Sequence, residues 1–96
     1  MPLYVVRLRR GGEMREQAGW VEHARFMDGL VEAGFIVLGG PLEGGRDTLH
    51  IVKAPSEVAI RERFKQDPWA ANGMLHPASI ERWTVLLDGR GLAGES

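Results

Sequence analysis

The chain has 96 residues, 44% hydrophobic and 26% charged, a composition that suits one small globular core and leaves no length for two. Its formal net charge is -1, with twelve Lys and Arg scattered among thirteen Asp and Glu, so the sequence carries no electrostatic footprint for nucleic acid. It lacks cysteine, which removes thiol catalysis, thiolate metal sites and disulfide frameworks. No apolar run approaches the ~18 residues of a membrane span, and a cytoplasmic protein is expected. A core this small without disulfides gains by covering apolar surface with a second copy, so a homodimer is expected as well.

Residues 3–9 alternate, with Tyr4, Val6 and Leu8 on one face and Leu3, Val5, Arg7 and Arg9 on the other, which predicts a first strand. From about Arg15 the spacing turns helical, Trp20, Ala24, Met27, Leu30 and Val31 recurring at three and four, and Gly34 is placed to end that helix. The apolar run Phe35 to Leu38 predicts a buried strand stopped by Gly39-Gly40-Pro41. Thr48 to Lys53 returns as a third strand across an irregular Gly-rich loop. Ser56 caps a second helix reaching about Lys65, Asp67-Pro68-Trp69 starts a short one, and Ser79 to Leu87 reads as a fourth strand. One domain over residues 1–87 is expected, with 88–96 as a flexible tail. The order β-α-β-β-α-β is that of the ferredoxin-like α+β fold, helices covering one face of a four-stranded antiparallel sheet. Two such sheets packed face to face would bury the other, which is the physical case for a dimeric α/β barrel.

His23 lies three residues after Trp20 and four before Met27, so it projects from the apolar side of the long helix. It is either a core imidazole satisfied by one hydrogen bond or a group for proton transfer or ligand binding. Asp67 before Pro68 is an N-cap, and a carboxylate so held can also orient a neighbouring imidazole. The segment Gly39 to Arg46 lacks the Lys-Ser/Thr ending of a phosphate loop and leads into a strand, which makes it a hairpin connection. His50 and His76 share no ligand spacing with His23, so no metal site is expected. Trp20, Trp69 and Trp83 read as core or interface anchors. No serine stands in a nucleophile elbow.

The strand Leu3-Tyr4-Val5-Val6, the helix with His23 ending in Ala33-Gly34, the Gly40-Pro41 turn and Asp67-Pro68-Trp69 together resemble the YciI-like (YCII-related) family over residues 3–87. The resemblance implies the ferredoxin-like fold, a dimeric barrel and a cleft in which a histidine and an aspartate meet, the matching positions here being His23 and Asp67. It further implies a cofactor-free lyase or isomerase acting on a small metabolite, cyclic or aromatic ones included, with His23 as general acid or base. Gly40 and Pro41 are then candidate substrate-binding positions. Arg7 and Arg82 are candidates for holding an anionic substrate or intermediate, with a structural ion pair as the alternative for each. A non-catalytic small-molecule-binding or regulatory homodimer is the rival reading.

Overall fold

The computed structural model describes residues 1–11, 19–44, 46–71 and 73–92. In chain order these form β1 (Leu3–Arg10), α1 (Trp20–Glu32), β2 (Ile36–Pro41), β3 (Asp47–Lys53), α2 (Glu57–Phe64), α3 (Pro68–Ala71) and β4 (Leu75–Trp83). The strands lie in the order β2-β3-β1-β4, every neighbouring pair antiparallel. This is the split βαβ topology of a ferredoxin-like α+β fold.

The expected start of the long helix near Arg15 lies outside the described residues; α1 is seen from Trp20, after Gly19 at φ 83. Its end follows the expectation. Gly34 takes φ 78, its N–H donates to the Val31 carbonyl, and the Phe35 N–H donates to the Leu30 carbonyl, each at 3.0 Å. That pair of bonds is a Schellman closure, which needs a residue free to adopt the left-handed region. At the other helix, the Ser56 hydroxyl accepts from the Ala59 N–H at 3.1 Å, the expected cap of α2.

Period-two alternation sorts the sheet into two faces. Tyr4, Val6 and Leu8 of β1 and Val52 of β3 are buried with Leu30, Ile60, Phe64 and Trp69 from the helices. Full burial of side chains such as Val6 and Val52 contributes roughly 1.5–3 kcal/mol each. The other face carries half-buried Val5, Leu49 and Ile51, and Trp83 and Leu38 are exposed. Trp83 is therefore not a core anchor in this chain, whereas Trp69 is fully buried.

Two strand boundaries differ from the sequence expectation. Gly39-Gly40-Pro41 does not stop β2 but belongs to it, paired with His50, Leu49 and Thr48. Proline is tolerated there because β2 is an edge strand. Strand β4 begins four residues earlier than expected, at Leu75, and ends at Trp83. Pro77 is accommodated because β4 is the other edge and its register shifts where it passes Arg7 and Leu8. Beyond it, the Leu92 N–H donates to the Asp88 carboxylate at 2.8 Å, and Val85, Leu87 and Leu92 line a groove with Leu3, Leu38 and Ile51. No helix among the described residues is long and apolar enough to cross a membrane.

Candidate functional site

One face of α1 repeats at three, four, seven and eight: Trp20, His23, Ala24, Met27 and Asp28. These side chains form one wall of a cavity of about 320 Å³, closed by Gly39, Gly40 and Pro41 of β2, Thr48 and His50 of β3, and Leu75 at the start of β4. That size suits a small metabolite.

Asp67 stands in the turn between α2 and α3, 44 residues from His23 in sequence, and its Oδ2 lies 2.6 Å from His23 Nδ1. The other carboxylate oxygen, Oδ1, accepts the Trp69 backbone N–H at 2.9 Å, the cap expected of Asp before Pro. Both partners are buried, with side-chain exposures of 8% for His23 and 2% for Asp67. The Trp69 ring lies flat against the imidazole, centroids 4.0 Å apart and planes within 9°. Trp20 packs on both rings, at 6.1 Å from His23 and 5.8 Å from Trp69. The imidazole is thus held at one nitrogen by a carboxylate and across one face by an indole, which fixes its orientation. A carboxylate can only accept, so Nδ1 carries the proton, and in the neutral form of the ring Nε2 has a lone pair.

Of the remaining candidates, Gly40 and Pro41 line the cavity beside His23. Arg7 does not; its side chain lies on the opposite face of the sheet, where Arg7 Nη1 and Arg9 Nε donate to Asp47 at 3.2 and 3.0 Å. The Arg9 hydrogen bond holds the Asp47 carboxyl below its ordinary value. Arg82 is also apart from the cavity, exposed on β4 opposite Tyr4. Neither guanidinium lines this cavity, because strand alternation carries Arg7, and edge position Arg82, elsewhere. Among the described residues no group of three or more His, Cys, Asp and Glu is disposed to hold a metal ion.

The cavity also contains a histidine that spacing set aside. His50 faces inward between Thr48 and Val52, and burial pushes its imidazole down to about 4, with the nearby His23 as the second cause. Gly39 makes room for that ring: a Cβ at position 39 would stand 2.4 Å from His50 Cδ2 and 3.0 Å from Nε2. The signal was the alternation of β3, in which Thr48, His50 and Val52 share one face.

A small antiparallel α+β sheet with a buried His-Asp pair, its histidine at the wall of a cavity, defines the class. The model of the YCII-related domain matches residues 3–84, and the chain belongs to that family. Among solved structures it resembles 5-chloro-2-hydroxyhydroquinone dehydrochlorinase from Burkholderia phenoliruptrix AC1100, in complex with 2,5-dihydroxybenzoquinone. The TM-score is 0.64 and the identity 22%, over 88% of this chain and 94% of that one. No curated protein matches the chain.

Proposed function

We propose that this YCII-related protein is a cofactor-free lyase or isomerase acting on a small ring metabolite, with His23 as general base and acid. The observation that carries the reading is the 2.6 Å bond between Asp67 and Nδ1 of buried His23, a residue that lines an open cavity. Held in this tautomer, Nε2 takes a proton from the substrate. The electron pair released either forms a new double bond as a leaving group departs with its own pair, or the proton returns at another position. Asp67 offsets the positive charge that the imidazole then carries, the part a carboxylate plays beside a catalytic histidine. The chemistry of the dehydrochlorinase of like fold, elimination from a hydroquinone, is of this kind.

The test is turnover of 5-chloro-2-hydroxyhydroquinone and related chlorinated and hydroxylated rings, followed by chloride release and by exchange of ring protons with deuterium. In His23→Gln the rate is expected to fall at least a hundredfold while ring binding persists, since a positioned acid-base group contributes about 10²–10⁴-fold. Equal rates in the two proteins would leave the rival reading, a non-catalytic binding or regulatory homodimer.

We further propose that the chain forms a homodimer through the open face of its sheet. Leu38 and Trp83 are 51% and 44% exposed there, beside half-buried Val5, Leu49 and Ile51, an apolar surface that a second sheet laid across it would bury. Sedimentation should show a dimer in the wild type and a monomer in Trp83→Glu. A monomeric wild type at micromolar concentration would rule the dimer out.

A further inference from the structure

Thr48 Oγ1 and His50 Nδ1 are buried and have no hydrogen-bond partner among the described residues, although both residues line the cavity that holds His23. Each residue is 6% exposed. Buried polar side chains are ordinarily paired, so two orphans side by side at one cavity wall point to a partner that arrives with a ligand. They stand two apart on β3, pointing to the same face, which sets their Cβ atoms about 7 Å apart and lets both reach a single small ring.

The two orphaned groups are uncharged. A hydroxyl both donates and accepts, and a neutral imidazole does one at each nitrogen. His50 stays neutral near pH 7 because burial holds its imidazole down to about 4. Among the described residues no Lys or Arg lines the cavity, and the one carboxylate that does, Asp28, opposes an anion. The rest of the wall, Trp20, Met27, Pro41 and Leu75, suits the faces of an apolar ring. We propose that Thr48 and His50 are the specificity-determining edge of this site, selecting an uncharged ring that bears two or more hydroxyl or carbonyl oxygens. The inference rests on the cavity being the ligand site of the proposed function, and not on the acid-base role of His23.

The experiment compares hydroquinone with p-xylene, of like shape without oxygens, and with terephthalate, of like shape with two negative charges. Binding is followed by NMR on the His23 ring protons in the wild type, Thr48→Val and His50→Phe, and on those of His50 in the first two. The wild type should prefer hydroquinone over both. In Thr48→Val its affinity should fall about three- to tenfold, as for the loss of one neutral hydrogen bond, with p-xylene unchanged. The same variant should melt a few degrees higher without ligand, because it removes a buried hydroxyl that folding leaves unpaired, a sign opposite to that of a merely structural residue. Absence of hydroquinone binding in the wild type, equal hydroquinone affinity in Thr48→Val, or preference for terephthalate would each overturn the proposal. His23→Gln separates the two readings. Turnover that needs His23 while binding ignores Thr48 sinks the edge and spares the acid-base chemistry. Binding that needs Thr48 in a wild type without turnover does the reverse.

Discussion

Asp67→Ala is expected to lose about 3–5 kcal/mol of stability, whereas Asp67→Asn keeps most of it and loses the base. In the alanine variant two buried donors, His23 Nδ1–H and the Trp69 N–H, are left without acceptors at once. Each such orphan costs about 1–3 kcal/mol, the second of them being the lost cap of α3. In the asparagine variant one oxygen remains for two donors. The Trp69 N–H belongs to the backbone and can only donate, so the amide oxygen stays with it and the amide NH2 turns to His23. The imidazole answers by changing tautomer: Nδ1 becomes the acceptor and Nε2 takes the proton. Asparagine in place of the aspartate beside a serine protease's catalytic histidine has this effect, keeping the geometry while the wrong tautomer removes most of the activity. Nitrogen NMR shifts of the His23 ring should therefore interchange between the wild type and Asp67→Asn, and denaturant melts should place Asp67→Ala well below both. An unaltered tautomer in Asp67→Asn would mean that the carboxylate does not hold the imidazole as proposed.

Much of this site was legible where chemistry is local. Asp67 before Pro68 announces a cap, and its Oδ1 accepts the Trp69 amide. His23 between Trp20 and Met27 announces an inward histidine, and it is buried. That the two meet across 44 residues is a property of topology, which no spacing rule reaches; only the family resemblance suggested it. His50 shares no ligand spacing with His23 along the chain, whereas the fold sets both in the wall of one cavity. Gly39 and Gly40 read as a strand stop because glycine and proline are poor strand formers. An edge strand accepts them, and the missing Cβ of Gly39 is what seats the His50 ring. Arg7 and Arg82 drew notice as charges near the right elements. Charge alone does not say which face a strand residue takes, and Asp47 claims Arg7 on the far side.

Below pH 6.5 the protein should lose stability steeply, and His50 should account for about 3 kcal/mol of that loss by pH 4. The sign follows from its buried site. In the unfolded chain the imidazole titrates near its ordinary value of 6.5, while burial first and His23 second push the folded value down to about 4. Between those two values the unfolded state binds a proton that the folded state refuses, so falling pH favours unfolding. Above pH 6.5 neither state is protonated and the group contributes no slope. Below about pH 4 both are, and the loss levels off at about 2.5 pH units of linkage, each about 1.36 kcal/mol. Carboxylates such as Asp47, held below its ordinary value by Arg9, titrate in the same direction but lower, so the upper part of the acid limb belongs to His50. His50→Phe should flatten the slope between pH 6.5 and 5 relative to the wild type. In His23→Gln the slope should soften, because the second cause of the depression is gone. A slope that His50→Phe leaves untouched would mean that the imidazole takes up its proton in the folded protein, with water or a carboxylate reaching it in the cavity.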